Sequence, residues 1–168
     1  LQETKVIDDR FPRAELEAAG YQALCSGQPI YNGVALLSRT RGSDMLTAIP
    51  GFEDPQRRVL AASYDGLRVI NLYVPNGESV DSDKYRYKLE WLAKLAAWLK
   101  AELERHPQLV VLGDFNIAPE PRDVHNPKAW EGSVLFSEPE RAALRALFDL
   151  GLRAVFRLFE QPEQSLSW

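Results

Sequence analysis

The 168-residue chain is poor in cysteine and histidine, has no long apolar run and carries no excess of basic residues. Its one cysteine, Cys25, excludes an intrachain disulfide and favours a reducing compartment. No apolar run approaches the ~18 residues that a membrane-spanning helix needs. The 20 Lys and Arg against 24 Asp and Glu give a net charge of −4, with no basic stripe or tail typical of nucleic-acid binding. We therefore expect a cytoplasmic protein in which any phosphate is bound locally, through a metal ion.

The remaining composition is typical of a globular domain. Hydrophobic residues make up 45% of the chain and charged residues 26%, and the mean hydropathy is −0.29. A chain of this size buries about 70% of its unfolded surface, and no repeat or linker divides it. We predict a single domain over residues 1–168. The chain opens at Leu1 inside a strand-like pattern and stops at Trp168 without a terminator. We expect the domain to be incomplete and to continue beyond both ends.

Hydrophobic periodicity predicts alternating strands and helices. The Asp65-Gly66 pair predicts a two-residue hairpin turn between antiparallel strands. Leucines at helical spacing predict a long helix that Asp83 caps at its N-terminus. The predicted strands cover residues 21–25, 33–38, 58–64, 67–74, 109–112 and 152–158, and the predicted helices cover residues 14–19, 83–105 and 138–150. The strand at 109–112 is a continuous apolar run, typical of a strand covered on both faces. We predict an α+β or α/β fold: a layered β-sandwich flanked by helices.

Polar residues stand where these strands end. Asp114 and Asn116 follow the apolar strand, and in extended geometry side chains two positions apart face the same side. An Asp can ligate a hard cation or accept a proton from water, and an Asn can orient that water or bind a phosphate oxygen. An Asx turn would also account for both residues. Glu3 could equally be a solvated loop residue. Tyr73 could be an ordinary strand aromatic or a phenol that hydrogen-bonds a phosphate oxygen.

The long helix carries residues with simpler explanations. Trp91 and Trp98 are seven positions apart, on one helical face, and we expect them to pack in the core. Three basic residues near its start could touch phosphate, but a solvated face is the preferred interpretation; they are Lys84, Arg86 and Lys88. Cys25 is expected to be a small buried hydrophobe.

Five stretches together carry a family resemblance. They are Leu-Gln-Glu-Thr-Lys from residue 1, Tyr-Asn-Gly-Val-Ala from residue 31, Gln-Arg-Arg-Val from residue 56, Asn-Leu-Tyr-Val-Pro-Asn-Gly from residue 71 and Gly-Asp-Phe-Asn-Ile-Ala-Pro from residue 113. In this order and at this spacing the chain resembles the exonuclease III family of abasic-site endonucleases, within the endonuclease/exonuclease/phosphatase superfamily. Gly-Asp-x-Asn by itself would indicate only the superfamily.

The resemblance implies a catalytic site at these stretches. It makes Glu3, Asp114 and Asn116 metal-binding positions for Mg²⁺, with Mn²⁺ as an alternative. It places Tyr73 beside the scissile phosphate and gives Asp114 the activation of water or protonation of the leaving group, with Asn116 in support. Substrate-binding positions are implied at Lys5, Asn32, Arg57, Arg58 and Trp168, the last lining a pocket for a sugar without a base.

The resemblance also implies an activity and a partner. The expected protein is a Mg²⁺-dependent DNA-repair nuclease that cleaves at abasic sites and removes nucleotides from 3′ ends, acting as a monomer on double-stranded DNA. The family has an active-site Asn upstream of the position of Leu1, and an Asp and an Asp-His pair downstream of Trp168. His106 and His125 do not replace that His: His106 ends a predicted helix, and His125 lies in a proline-rich loop.

Two other functions stay open. A phosphoesterase of the same superfamily could act on a lipid or inositol phosphate, although the Gln-Glu-Thr-Lys and Tyr-Val-Pro-Asn-Gly stretches argue against it. A non-catalytic DNA-binding fragment is the third hypothesis, since the chain lacks the His and several acids of the family pattern.

Overall fold

The computed structural model describes residues 1–161. Six strands and four α-helices follow one another along the chain: α1 (Arg13–Ala18), β1 (Gln22–Ser26), β2 (Val34–Ser38), β3 (Ser43–Leu46), β4 (Val59–Tyr64), β5 (Leu67–Tyr73), α2 (Asp83–Arg105), β6 (Leu109–Asp114), α3 (Pro127–Trp130) and α4 (Glu138–Asp149). Short 3₁₀ turns cover Asp8–Arg10, Pro121–Asp123 and Val155–Leu158. The described residues form two compact units: residues 1–74 with 101–115, and residues 75–100 with 116–161. We call them unit 1 and unit 2.

Unit 1 holds two sheets that face one another. β1 and β2 form an antiparallel pair, and the second sheet has the strand order β3-β4-β5-β6. Apolar side chains of β2 and β4 meet between the sheets, with Val34 and Leu60 completely buried and Leu36 and Ala62 beside them. Alternating strand residues thus form a core between two layers, as expected for a β-sandwich. The predicted layered fold is confirmed.

The four-stranded sheet mixes antiparallel and parallel pairs. β4 and β5 pair antiparallel across the Asp65-Gly66 turn, where both residues have positive φ, 49° and 88°. Such angles are those of a type I′ hairpin turn, so this prediction is confirmed. β5 and β6 pair in parallel, with α2 as the connecting helix between them in the chain. Parallel pairing brings the carboxyl ends of the two strands to one edge of the sheet.

The outer face of the two-stranded sheet is covered by the chain before it. Phe11, Cys25 and Ala35 form a buried cluster, and Leu16 of α1 packs against it. Cys25 is 3% exposed, which confirms it as a small buried side chain. Its sulfur accepts a hydrogen bond from the Arg13 guanidinium.

Unit 2 is helical. Ser82, not the predicted Asp83, caps α2, because its hydroxyl accepts the Tyr85 N–H at 3.0 Å and the helix already includes Asp83. Trp91 and Trp98 are buried, as expected from their spacing. Between α3 and α4, Phe136 packs with Ala118 and Val124 in a second small core.

Three other sequence predictions are corrected. β3 was not predicted, because Ser43–Leu46 is short, mostly exposed and polar. Residues 152–158 were predicted as a strand but end in a 3₁₀ turn. No strand among residues 1–161 pairs with them. Within the turn, the Arg157 N–H donates instead to the Ala154 carbonyl. The strand predicted at 109–112 to be covered on both faces is β6. Its residue Leu112 is exposed, so β6 is not covered on both faces. β6 is also an edge strand of the described sheet.

Within residues 1–161, no helix has both the length and the apolar character required to cross a membrane.

Candidate active site

Tyr73 and Asp114 end neighbouring parallel strands of unit 1 and pair with each other in register. The Asp114 carbonyl accepts the Val74 N–H at 2.9 Å, which continues the ladder one residue beyond Tyr73. Gly113, with φ 138°, precedes the acid, and a Cβ there would lie 1.9 Å from the Leu72 carbonyl oxygen. Only glycine allows this close approach of the two strands, so the sequence fixes Asp114 beside Tyr73.

The opening segment brings a carboxylate to the same tyrosine. Glu3 accepts hydrogen bonds from the Lys5 ammonium, at 2.7 Å, and from the Tyr73 hydroxyl. These bonds, that of Lys5 first, hold the pKa of Glu3 below its usual range. The Glu3 side chain is 43% exposed, so its carboxylate is anionic and open to solvent. The structure therefore brings together Glu3, Lys5, Tyr73 and Asp114, which are four of the residues named from the sequence.

Tyr73 remains a protonated phenol. Burial raises its pKa above the ordinary value, and the charges of Glu3 and Asp114 raise it further. A phenol beside two carboxylates keeps its proton, because removing it would place a third negative charge there. Tyr73 can consequently act as a hydrogen-bond donor toward an anionic group.

Arg58, directly before β4, contacts and supports Tyr73. Its guanidinium carbon lies 4.8 Å from the centre of the Tyr73 ring, and its Nη1 donates to the Tyr73 carbonyl at 3.1 Å. The Arg58 carbonyl in turn accepts the Tyr73 N–H at 2.8 Å. Arg58 is half-buried and also donates to Gln56 at 2.9 Å. These contacts indicate a residue that orients Tyr73, whereas Arg57 is exposed on the neighbouring position.

Asn32 is buried in a network of side-chain amides. Its Nδ2 donates to Gln28 at 3.0 Å and to Gln56 at 3.2 Å, and it is 7% exposed. Gln28 also accepts the Arg57 N–H at 3.0 Å. The network joins the loop between β1 and β2 to the loop between β3 and β4. Sequence reasoning missed Gln28 and Gln56, because an isolated glutamine in a loop carries no pattern that separates a bridging amide from a solvated one.

The backbone around Glu3 is strained. Three residues have φ in the left-handed region: Glu3 at 53°, Lys5 at 57° and Asn32 at 54°. For a residue other than glycine, this conformation costs about 1–3 kcal/mol. Backbone hydrogen bonds hold the strained segment, among them those from the Lys5 N–H to the Asn32 carbonyl at 3.0 Å and from the Thr4 N–H to the Gly33 carbonyl at 3.1 Å. Strain of this kind is concentrated at functional sites.

Asn116 belongs to unit 2 and has a different geometry from the predicted one. β6 ends at Asp114, and Asn116 has φ 49°, so the segment is not extended and the argument that side chains two positions apart face one side does not apply. Asn116 is 4% exposed, and its Oδ1 lies 3.4 Å from Nδ2 of Asn76. Its carbonyl accepts a hydrogen bond from Lys88, which stabilises the turn.

Lys88 is a further correction. It was expected on a solvated face with Lys84 and Arg86, both of which are exposed and paired with acids of their own loop or helix turn. Lys88 is instead completely buried against Glu140, a residue 52 positions away in the chain. A partner so distant in sequence gives no local signal.

The donor set fits a cation held by few protein ligands. No group of three or more His, Cys, Asp and Glu among residues 1–161 could form a protein cage for a metal ion. Mg²⁺ commonly uses one or two carboxylates and completes its shell with waters and substrate oxygens. An anionic, half-exposed Glu3 meets that requirement.

Three more residues were discussed from the sequence: Trp168, His106 and His125. Trp168 is outside the described residues. His106 follows the end of α2, 3.8 Å from the Glu102 carboxylate, and His125 is exposed in the loop before α3.

A two-layered sandwich with polar residues at the ends of its parallel strands is the architecture of a class of phosphoesterases, and comparison with known proteins identifies the class. Residues 1–157 match the model of the endonuclease/exonuclease/phosphatase family, to which this chain belongs. Within the family it is similar to exodeoxyribonuclease III of Haemophilus influenzae, with 34% identity over 100% of this chain and 68% of the relative. The predicted family is thus confirmed.

Solved structures agree in fold. The 3′-5′ exonuclease NExo of Neisseria meningitidis matches with 45% identity and a TM-score of 0.92, over 94% of this chain and 62% of that one. A 3′ phosphatase form of NExo, bound to a product DNA hairpin, matches with a TM-score of 0.88, 45% identity and 89% and 59% coverage. An AP endonuclease from Archaeoglobus fulgidus matches with 37% identity and a TM-score of 0.89, over 94% and 61%. The chain spans 59 to 68% of the length of these relatives.

Proposed function

We propose that the protein containing this chain is a divalent-metal-dependent DNA-repair nuclease, which hydrolyses phosphodiesters at abasic sites and at 3′ ends. The observation that carries the proposal is the cluster in unit 1: an anionic Glu3 and a protonated Tyr73 in contact, with Asp114 paired to Tyr73 in register. The similarity to an exodeoxyribonuclease, a 3′ phosphatase, a 3′-5′ exonuclease and an AP endonuclease supports it. In this proposal residues 1–168 form one incomplete nuclease domain, which acts as a monomer.

A phosphodiester resists attack because its negative charge repels nucleophiles. A divalent cation bound at Glu3, Mg²⁺ or Mn²⁺, would neutralise charge on a phosphate oxygen and on the developing alkoxide. The Tyr73 hydroxyl has one proton, which would turn from Glu3 to a non-bridging phosphate oxygen when substrate binds, and its raised pKa keeps that proton in place at neutral pH. Lys5 holds Glu3 anionic and adds positive charge near the phosphate.

Asp114 accepts the proton of the attacking water in this proposal. General base catalysis of this kind contributes roughly 10²–10⁴-fold to a rate. Asn116 follows Asp114 by two residues and supplies an amide that binds a phosphate oxygen or orients the water. Its assignment as a further metal ligand rests on the family resemblance.

Substrate binding is assigned to exposed residues. Arg57 is exposed and suits a contact with the DNA backbone, which positions a duplex without reading its sequence. Arg58 and Asn32 have supporting roles. Arg58 orients Tyr73 through its carbonyl, and Asn32 holds the segment of Lys5 and the loop of Arg57. Trp168 is proposed to line the pocket for an abasic sugar, since a nucleotide without a base has little stacking to lose on extrusion.

A substrate panel tests the proposal. The full-length protein with Mg²⁺ is incubated with an abasic-site duplex, a 3′-recessed duplex, a phosphoinositide and sphingomyelin. Incision of the abasic strand to a 3′-hydroxyl and a 5′-phosphate, with no release of lipid phosphate, is the expected result. Release of lipid head groups would favour the phosphoesterase hypothesis instead. DNA binding without cleavage of either duplex would leave the non-catalytic hypothesis.

A further inference from the structure

The Lys88 ammonium donates hydrogen bonds to three groups of unit 2. Lys88 is completely buried, and its Nζ donates to the Asn76 carbonyl at 3.0 Å, to the Asn116 carbonyl at 2.6 Å and to the Glu140 carboxylate. An ammonium has three N–H donors and no acceptor, so each of these contacts is a hydrogen bond that Lys88 donates. One side chain of α2 thereby joins the loop after β5, the turn after β6 and the first turn of α4.

Glu140 is a fixed anchor for that ammonium. It is completely buried, and its two oxygens also accept the Leu135 N–H at 3.0 Å and the Ser137 N–H at 3.1 Å. The Ser137 hydroxyl donates to it as well and is hydrogen-bonded to Tyr85 at 2.5 Å. The bond from the Ser137 N–H is one half of the capping box of α4, and the other half is the Glu140 N–H donating to the Ser137 hydroxyl. The carboxylate therefore cannot move without disturbing the helix start.

The carbonyls that Lys88 holds belong to two asparagines whose amides meet. Nδ2 of Asn76 lies 3.4 Å from Oδ1 of Asn116. Asn116 has the left-handed φ of 49°, and the hydrogen bond on its carbonyl holds the following peptide plane, and with it the backbone that carries the amide. Gly77 makes room for the lysine, because a Cβ there would lie 3.2 Å from Lys88 Cδ and 3.1 Å from Val134.

Stability alone does not account for a lysine at this position. The desolvation of a buried ion pair offsets most of its attraction, and an apolar pair of similar volume stabilises a fold equally well. An apolar side chain would nevertheless remove the hydrogen bonds that Lys88 donates to the two loop carbonyls. The orientation of both loops is therefore what requires the ammonium.

We propose that Lys88 and Glu140 are positioning residues: they hold the loops of Asn76 and Asn116, and with them the Asn116 amide assigned above to a phosphate oxygen or to water, in the geometry needed for phosphodiester cleavage. The inference rests on the proposed nuclease function. Lys88 touches no substrate in this account; it acts through the backbone of the two asparagines, and Glu140 fixes and neutralises it.

Single-turnover and steady-state incision of an abasic duplex by the full-length protein tests this role. Lys88→Met and Glu140→Gln are expected to lower kcat about 10- to 100-fold with KM within about threefold, since misplacement by 1 Å costs about 10²-fold. The matched control is Glu102→Gln in unit 1, which alters an equally buried carboxylate paired with buried Arg68. It should leave kcat within about twofold at a comparable loss of thermal stability. Equal losses of kcat in Glu140→Gln and Glu102→Gln would overturn the proposal.

A double-mutant cycle separates positioning from general damage. In an Asn116→Ala background, Lys88→Met should lower kcat by less than about threefold, because the amide it orients is gone. In the otherwise wild-type protein, Lys88→Arg should retain more of the rate than Lys88→Met, since a guanidinium can still donate to both carbonyls. An undiminished effect of Lys88→Met in the Asn116→Ala background contradicts the proposal. If Lys88→Met does not fold, the same cycle is run with Glu140→Gln.

Hydrogen exchange keeps this inference separate from the proposed function. The amides of residues 113–118 should exchange faster in Lys88→Met than in wild type or Glu102→Gln, whether or not DNA is cleaved. Unchanged exchange overturns the positioning role. A wild-type protein that cleaves no DNA, together with faster exchange in Lys88→Met, would refute the nuclease proposal and leave the holding of the loop by Lys88 supported.

Discussion

Removing the Tyr73 hydroxyl tests the candidate site with the smallest change. Tyr73→Phe removes the hydroxyl that donates to Glu3. It keeps the aromatic ring, whose centre lies 4.8 Å from the Arg58 guanidinium carbon. A hydrogen bond to a charged group contributes about 1.5–3 kcal/mol. Because each 1.36 kcal/mol of barrier changes a rate tenfold, we expect the incision rate to fall about 10- to 150-fold.

The assay is single-turnover incision of an abasic duplex by the full-length protein at saturating Mg²⁺. Saturating conditions matter because the same substitution removes one of the bonds that keep the pKa of Glu3 low, the bond from Lys5 being the larger cause. The effect on the chemical step is then measured apart from any effect on cation binding. DNA affinity should change by less than about threefold, since the hydroxyl acts mainly in the transition state.

Tyr64→Phe is the matched control. Tyr64 ends β4 in the same apolar cluster, and within residues 1–161 its buried hydroxyl finds no hydrogen-bond partner. Its removal should leave the rate within about twofold and keep or raise thermal stability, because an unpaired buried hydroxyl is unfavourable. A Tyr73→Phe rate within twofold of wild type, or equal losses in the two variants, would refute the assignment of Tyr73.

Three further predictions concern chemistry, backbone and thiol. Asp114→Ala should abolish incision and leave DNA affinity, measured by fluorescence anisotropy, within about tenfold; near wild-type incision would show that another group activates the water. Gly113→Ala should destabilise the protein to urea by about 3 kcal/mol or more, because its Cβ would lie 1.9 Å from the Leu72 carbonyl oxygen. Gly66→Ala, which has nothing within 4 Å, should cost only about 1–2 kcal/mol, and similar losses in the two variants would contradict the close strand approach. Burial, and after it the Asp8 carboxylate, raises the pKa of the Cys25 thiol to about 11. Its alkylation by iodoacetamide, followed by mass spectrometry, should therefore still rise about tenfold per pH unit between pH 8 and 10, and a plateau near pH 9 would rule out the raised pKa.

Local patterns predicted most of the fold. The Asp65-Gly66 hairpin, the long helix α2 and the end of α4 before Gly151 depend on turn chemistry and periodicity, which neighbouring residues determine. The failures occurred where the outcome depends on distant partners. Residues 152–158 alternate like a strand, but a strand needs a neighbour for its backbone groups, and the described chain supplies none there.

The candidate site was predicted through motifs rather than through geometry. Glu3, Tyr73 and Asp114 come together because parallel pairing of β5 with β6 aligns two strand ends and the opening segment lies against them. The sequence could not predict that Asn32 is buried among glutamines or that Lys88 is buried rather than exposed to solvent. Both depend on partners that only the tertiary fold brings near, Gln56 and Glu140.

Cation dependence tests the central claim most directly. Single-turnover incision is measured against Mg²⁺ concentration for wild-type protein and for Glu3→Gln, which keeps the shape of the side chain and removes its charge. The account predicts no incision in EDTA and a half-saturating Mg²⁺ concentration at least about tenfold higher in Glu3→Gln. Superimposable Mg²⁺ curves for the two proteins, or wild-type incision that persists in EDTA, would contradict it.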